Sequence, residues 1–229
     1  MRRHPSGLST AVMICVFFAL PGIANAALIN RGGGLIYDTD LNITWLADAN
    51  YAYTSGYDTQ DATDGLMTHA YAMAWADQLT YGGFTDWRLP TTLQPDSSCA
   101  NQYSFGNGGW NCTGSEMGHL FYNELGGVAG NGTNIEDFHN ANYSLFTNLT
   151  SNQYWSSTSV ATLSTYAWQF YFGGGNQYVN NKAGAIRAMA VHPGDIGATT
   201  VPVPAAGWLL GSALGLMGLV RRKQAKQAK

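Results

Sequence analysis

Three aspartates in one polar loop have the side chains that hard cations bind. Asp58, Asp61 and Asp64 lie three residues apart and are followed by Gly65. Calcium takes carboxylate oxygens as ligands, so this loop could gather several of them around one Ca²⁺ ion. The spacing is not that of an EF-hand loop, and an acidic loop that faces solvent is the alternative interpretation. Calcium at this loop is the one cofactor that the sequence suggests.

A further carboxylate belongs to the tripeptide Gln94-Pro95-Asp96. The same tripeptide selects sugars in calcium-dependent lectins, where a downstream Trp-Asn-Asp completes the calcium shell. Here Trp110-Asn111 is followed by Cys112 instead of an aspartate. Because that ligand is missing, we interpret the tripeptide as a chance match.

The histidines and serines form no recognisable catalytic motif. No HExxH or Gly-x-Ser-x-Gly segment occurs, and the glycine runs lack the Lys-Ser/Thr of a phosphate-binding loop. His119 lies in a predicted helix, where a packed residue is a better interpretation than a catalytic base. We therefore expect a protein that is not an enzyme. The histidines considered are His69, His119, His139 and His192.

Aromatic residues in polar loops are the best candidates for ligand binding. Most aromatic side chains of an exported domain this size fill its core, but rings bordered by Asn, Asp and Gln in loops cannot all do so. Flat rings with polar neighbours suit stacking on neutral sugars. The candidates are Tyr51, Tyr53, Tyr57, Tyr103 and Trp110.

The N-terminal segment has the three parts of a signal peptide. Arg2-Arg3-His4 is a positive start, Ala11 to Leu20 is apolar, and Ala24-Asn25-Ala26 is a small-residue cleavage site. An N-terminal membrane helix is disfavoured because Pro21-Gly22 ends the apolar run. We expect signal peptidase to remove residues 1–26 and the domain that follows to be exported.

The C-terminal segment has three parts. Val201-Pro202-Val203-Pro204 precedes an apolar stretch from Ala205 to Val220, which ends at Arg221-Arg222-Lys223. This arrangement resembles PEP-CTERM sorting signals. Val203 replaces the glutamate of the commonest form, and the segment matches better the Val-Pro-Leu-Pro-Ala-Ala variant. The resemblance implies transient membrane insertion and an exosortase-type membrane transpeptidase as partner. An ordinary membrane anchor with its basic end in the cytoplasm is the alternative.

The segment between these two signals is strongly acidic. Residues 27–200 contain all 14 acidic residues but only four basic ones, which gives 4 − 14 = −10. A surface of this sign repels nucleic acid and sulfated polysaccharide, and it favours cations, neutral glycans or basic partners. Nucleic-acid binding is therefore not expected.

Two cysteines remain in the exported segment. Cys99 and Cys112 lie in a polar, glycine-rich stretch, and an oxidising compartment favours a disulfide between them. Such a bond is worth about 3 kcal/mol in the chain-entropy model. A reactive or metal-binding thiol pair is the alternative, but neither CxxC spacing nor a neighbouring histidine supports it.

The order of predicted elements is strands, two helices, then strands. Leu35–Tyr37 and Ile43–Leu46 predict a hairpin, residues 47–66 a loop, and the chain from Tyr154 onward more strands, ending with Ile186–Val191. One helix should begin after Thr68 and end at Gly82. The other should begin at a capping box in Thr113-Gly114-Ser115-Glu116 and end at Gly126. This order predicts an α+β fold with antiparallel strands.

Between about Gly34 and Gly194, the stretch Asp86-Trp87-Arg88-Leu89-Pro90 is followed by Trp155, Trp168 and Arg187. These ordered motifs resemble the Lcl C-terminal family, the C-terminal domain of collagen-like surface adhesins. The resemblance implies a C-type-lectin-like or formylglycine-generating-enzyme-like fold with long irregular loops, and adhesin members of that family bind polysaccharide. Within the motif we expect Arg88 to be held by a carboxylate and backbone carbonyls rather than by a ligand. The residues that carry the resemblance are Asp86, Trp87, Arg88, Leu89, Pro90, Trp155, Trp168 and Arg187.

The sequence thus predicts three parts: a signal peptide over 1–26, one extracellular domain over 27–200 and a sorting tail over 201–229. We expect a surface or extracellular-matrix protein that binds carbohydrate or mediates adhesion. A structural matrix component without a specific ligand is the first alternative. An enzyme on a formylglycine-generating-enzyme-like fold is the second.

Overall fold

The computed structural model describes residues 28–58 and 64–197. The predicted signal peptide, the sorting tail, both domain boundaries and Asp61 lie outside these residues. No helix in the described ranges is long and apolar enough to cross a membrane. The strands are β1 Leu28–Gly32, β2 Leu35–Asp38, β3 Ile43–Leu46, β4 Asn101–Tyr103, β5 Gly106–Gly108, β6 Gln153–Ser159, β7 Tyr166–Tyr171, β8 Asn176–Asn181 and β9 Val191–Pro193. The helices are α1 Tyr51–Thr54, α2 His69–Gln78 and α3 Glu116–His119, which continues as a π-helical turn, Leu120–Glu124; Ala141–Leu145 forms a 3₁₀ turn.

The predicted α+β class with antiparallel strands is confirmed. One sheet has the order β1-β2-β3-β9, so the last strand returns to pair with the predicted β2–β3 hairpin. A second sheet is the meander β6-β7-β8, and β4-β5 is a separate hairpin. Main-chain hydrogen bonds between Gly109 and Gln177 fasten that hairpin to β8.

The central strands of the first sheet, β2 and β3, are buried on both faces. All four residues of β3 are buried, and its successive residues Trp45 and Leu46 belong to two different apolar clusters. Ile36 and Trp45, a cross-strand pair, join the cluster of α3 and the π-helical turn. Leu35 and Leu46, the adjacent pair, join the cluster that contains α2. Because successive side chains of a strand point to opposite faces, the sheet is covered by helices on both sides.

The structure corrects several predicted boundaries. Residues 47–66 are not all loop, because α1 forms one helical turn within them. Helix α2 begins after Thr68 as predicted but ends at Gln78, before Gly82, since Leu79 is already extended. The predicted last strand, Ile186–Val191, is instead Val191–Pro193, while Ile186 and Arg187 form isolated bridges to Met67 and Tyr154. Strands β1, β4 and β5 were not predicted.

The predicted capping box is wrong. Helix α3 begins after Ser115, and no side-chain hydrogen bond caps its first turn. The Glu116 carboxylate pairs with the Arg88 guanidinium instead. A charge-assisted pair with a guanidinium is stronger than a bond to one backbone amide, so the long-range partner determines where this side chain points.

Candidate functional site: an aromatic groove beside the disulfide

A groove of about 420 Å³ lies between the β4–β5 hairpin and the β6–β7 connection. Phe105 and Trp168 form its apolar wall, and Gln94, Asn107 and Thr158 provide polar groups. A second hollow of about 420 Å³ shares Pro95 and Asn107 with the first and includes Tyr103 and Gln102. The hairpin is therefore bordered by two hollows that combine aromatic rings with amide groups.

The aromatic rings of this region are arranged as one surface cluster. Tyr103 and Phe105 are stacked, with ring centroids 5.0 Å apart and planes inclined by 11°. The Tyr178 ring of β8 meets both edge-on, at 5.4 and 5.7 Å. Trp168 lies beneath Phe105 at 6.2 Å and is buried, whereas Tyr178 is 39% exposed. Tyr103 and Phe105 are both half-buried, so ring surface of the cluster reaches solvent at Tyr178 and in part at this stacked pair.

The side-chain amide of Gln94, next to the rings, is held by the main chain of Asn107. Gln94 Nε2 donates to the Asn107 carbonyl at 2.8 Å, and Gln94 Oε1 accepts from the Asn107 N–H at 2.7 Å. A side chain at Gly106 would meet Gln94 Oε1 at 2.5 Å and the Trp168 ring at 2.7 Å. Only glycine therefore lets the hairpin lie this close to Trp168, and its φ of 136° suits glycine as well.

The base of the hairpin is held by the disulfide that the sequence predicts. Cys99 and Cys112 are joined in the structure, and the Ala100 N–H donates to the Trp110 carbonyl between them. Asp96, buried just before this loop, accepts hydrogen bonds from the Ser98 N–H and hydroxyl. Since Asp96 is only 1% exposed and already engaged, it is not arranged as an open calcium ligand.

The structure divides the five predicted ligand-binding aromatics between two places. Tyr103 lines the second hollow beside the groove, and Trp110 is half-buried at the base of the hairpin. The others cluster around α1, where Tyr51 and Tyr57 line a different hollow and Tyr53 is exposed.

Sequence reasoning missed Phe105 and Asn107, which line the groove, and Tyr178, whose ring packs against Tyr103 and Phe105 beside it. The alternation of Tyr103 and Phe105 before Gly106 is typical of a hairpin and could have indicated the first of them. Tyr178 comes from a distant strand, and nothing local in the sequence connects it with Tyr103.

The predicted calcium loop is only partly described. Asp58 is buried and accepts from the Gly65 N–H at 2.8 Å, and Asp64 accepts from the Leu66 N–H at 2.9 Å. Both carboxylates therefore hold turns of the backbone. Calcium binding at this loop remains a prediction.

Arg88 and its neighbours connect distant parts of the chain. Arg88 forms two hydrogen bonds to Glu116 and one to the Leu89 carbonyl. The backbone of Arg88 pairs with Val191, and the Pro90 carbonyl accepts from the Ser157 N–H. Asp86 has a positive φ of 65°, and buried Trp87 donates to the Phe84 carbonyl.

The other residues that carry the family resemblance also lie within the fold. Trp155 is fully buried and donates to the Met67 carbonyl at 2.7 Å. Trp168 supports the groove from below, as described above. The Arg187 N–H donates to the Gln153 carbonyl, which joins the stretch before β9 to β6.

A separate group of titratable side chains lies under α3. Asp38, His119 and Glu124 are all buried, and their ligand atoms approach one another within 4.8 Å. Burial and the nearby Asp38 carboxylate raise the pKa of Glu124, while His119 acts in the opposite direction. This group contains none of the residues that line the groove.

Comparison with known proteins places the chain in one family. The model of the Lcl C-terminal domain matches residues 34–192, which is more than half of the 229 residues. No curated protein and no solved structure matches the chain significantly. The matched range contains every residue of the groove described above.

Proposed function

The chain belongs to the Lcl C-terminal domain family, which suggests a surface-associated protein, and on this premise we propose that it binds neutral carbohydrate through the aromatic groove. The observation that carries the proposal is the stacked pair of Tyr103 and Phe105, with Tyr178 beside it and the amides of Gln94 and Asn107 at its edge. Sugar rings present C–H groups on their faces and hydroxyls at their edges. Aromatic planes bordered by amides complement both parts.

The charge of the region supports an uncharged ligand. The described residues that line the two hollows include no Asp, Glu, Lys or Arg. The protein between residues 27 and 200 has 14 acidic and four basic residues, so a sulfated polysaccharide would be repelled at long range. A neutral polysaccharide avoids that repulsion and needs no basic residue in the groove.

Export of the domain is the second part of the proposal. Residues 1–26 act as a signal peptide, and the segment 201–229 acts as a sorting tail for an exosortase-type transpeptidase. The sequence patterns of the two ends support this route, and the Cys99–Cys112 disulfide accords with an oxidising compartment. The tail would hold the protein in the membrane before it is processed.

A C-type-lectin-like fold is the third part. Its support is the sheet in which the first and last strands of the domain lie together, and the long loops with a disulfide between α2 and α3.

Glycan-array binding of the mature protein tests the proposed activity. We expect neutral glycans to be retained and Phe105→Ala and Tyr178→Ser to lose about tenfold in affinity each. Tyr53→Ser is the matched control, because Tyr53 is also an exposed tyrosine but lies on α1. If the protein retains no glycan, a structural matrix component without a specific ligand is favoured. If only Tyr53→Ser loses glycan affinity, the binding site lies at α1 instead.

A further inference from the structure

We propose that Asp38, His119 and Glu124 form a binding site for a divalent transition-metal ion of the Zn²⁺ type, with Asp40 at its entrance. The proposal does not depend on carbohydrate binding, because these residues do not line the groove. It rests on four observations: two unpartnered buried atoms, the π-helical turn, the fixed Asp38 carboxylate and the composition of the ligand set.

Two polar atoms in this group are buried without a hydrogen-bond partner. His119 Nε2 and Glu124 Oε1 both lack one, although His119 is 7% and Glu124 2% exposed. The two atoms lie 3.3 Å apart, outside the geometry of a good hydrogen bond. Leaving buried polar atoms unsatisfied is unfavourable, so two such atoms next to each other need an explanation. A metal ion bound between them would satisfy both.

The π-helical turn brings these two side chains to one side of the helix. His119 and Glu124 are five residues apart, which in an α-helix places side chains about 140° from each other. The turn Leu120–Glu124 is wider, and the Leu125 N–H donates to the Leu120 carbonyl at 2.9 Å, five residues back. Side chains five apart then face the same way. Single π-helical turns are rare in proteins, and those that occur often lie at functional sites.

Asp38 is held in position by three hydrogen bonds. Its Oδ1 accepts from the Asp40 and Leu41 N–H groups at 3.1 and 3.0 Å, and its Oδ2 accepts from Trp45 Nε1 at 3.2 Å. Each carboxylate oxygen can accept more than one bond, so Oδ2 keeps a lone pair for a cation. Hydrogen bonds of this kind orient the ligands of metal sites.

The ligand set decides which cation fits. One imidazole with two carboxylates suits Zn²⁺ and similar ions, whereas Ca²⁺ and Mg²⁺ prefer oxygen ligands alone. Two carboxylates also balance the charge of a divalent ion in the core. In a tetrahedral shell with metal–ligand distances of about 2.1 Å, the ligand atoms lie about 3.4 Å apart. His119 Nε2 and Glu124 Oε1, at 3.3 Å, already fit this spacing, and the Asp38 carboxylate, which lies within 4.8 Å of both, has to move by about 1.4 Å at most.

Asp40 gives the site a connection to solvent. Its side chain is 41% exposed, and its Oδ2 lies 3.8 Å from His119 Nε2. A carboxylate at that position can capture the ion from solution and supply the fourth ligand of a tetrahedral shell. The purely structural alternative is a buried His119–Glu124 ion pair that binds no metal.

Zinc titration of the mature protein, stripped with chelator, tests the proposal. We expect one Zn²⁺ per chain by calorimetry, and a melting temperature raised by roughly 5–10 °C at about a hundredfold excess over Kd. Mg²⁺ and Ca²⁺ at the same concentration should have no such effect. His119→Gln and Glu124→Gln should each abolish the stoichiometric site, while His139→Gln, on an exposed histidine, should not.

Anomalous diffraction from crystals of the wild-type protein soaked in zinc provides a readout that does not depend on the folding of any variant. The expected peak lies between Asp38, His119 and Glu124. A saturating soak that leaves this position empty, or places zinc only at His139 or His192, would overturn the proposal. Equal zinc binding by wild type and a folded His119→Gln protein would overturn it too.

Discussion

Arg88 and Glu116 form a two-point ion pair that joins the Asp86–Pro90 motif to the start of α3. The Arg88 Nη1 and Nη2 atoms lie 2.8 and 2.6 Å from the two carboxylate oxygens of Glu116. Glu116 also accepts from the Thr91 N–H at 2.6 Å. One carboxylate thus fixes both the motif and the connection that leads to the groove residue Gln94.

Replacing Arg88 by alanine should destabilise the protein by about 1–3 kcal/mol, since Glu116 is largely buried and would keep its charge without its main partner. Urea unfolding measures the change. Arg31→Ala is the control, because its acidic partner Asp195 is 29% exposed whereas Glu116 is 13% exposed, and the loss of that pair should cost about 1 kcal/mol or less. An unchanged midpoint for Arg88→Ala would contradict a structural role for this arginine.

His69 should make the protein less stable in mild acid. Its Nε2 lies 2.9 Å from the Ser156 carbonyl, and burial lowers its pKa below the ordinary 6.5. The unfolded chain therefore takes up a proton before the folded one does, and stability is lost as the pH falls from about 6.5 toward the folded-state pKa.

Comparison of wild type with His69→Gln isolates this effect. Glu124, whose pKa is raised, contributes a pH dependence of the opposite sign in both proteins and cancels in the comparison. The expected result is a wild-type unfolding free energy that falls more steeply between about pH 7 and pH 5 than that of the variant. Parallel curves would show that His69 does not titrate as proposed.

Removing the disulfide should affect stability and binding together. The double variant Cys99→Ala/Cys112→Ala should lose about 3 kcal/mol of unfolding free energy, because the open loop gains entropy in the unfolded chain. The hairpin that carries Phe105 begins and ends in this loop, so glycan affinity should fall as well. Reductant should lower the stability of the wild type but leave the double variant unchanged. Full wild-type affinity in the double variant would show that the hairpin holds its shape without the bond.

Local patterns predicted the elements whose determinants are close in sequence. The β2–β3 hairpin follows from two short β-rich segments around a turn, and α2 from Tyr71, Trp75 and Leu79 at helical spacing. The Cys99–Cys112 disulfide could be predicted from the number of cysteines in the exported segment and from the oxidising compartment alone.

Features set by distant partners could not be predicted in this way. The π-helical turn escapes a periodicity argument, because Met117, Leu120 and Phe121 fit an α-helix equally well. The capping prediction at Glu116 failed because Arg88, far away in sequence, competes for its carboxylate. Of the aromatic cluster beside the groove, only Tyr103 was predicted as a ligand-binding residue, since Tyr178 reaches the cluster from the distant strand β8.

The most direct measurement of neutral-carbohydrate binding is an amide NMR titration of the mature protein with soluble β-glucan, galactomannan and dextran oligosaccharides. The account predicts saturable shifts, with at least one of them, that centre on Gln102, Phe105, Asn107 and Tyr178 and disappear in Phe105→Ala. Shifts that centre on α1 around Tyr53, or no shifts with any of these sugars at millimolar concentration, would contradict it.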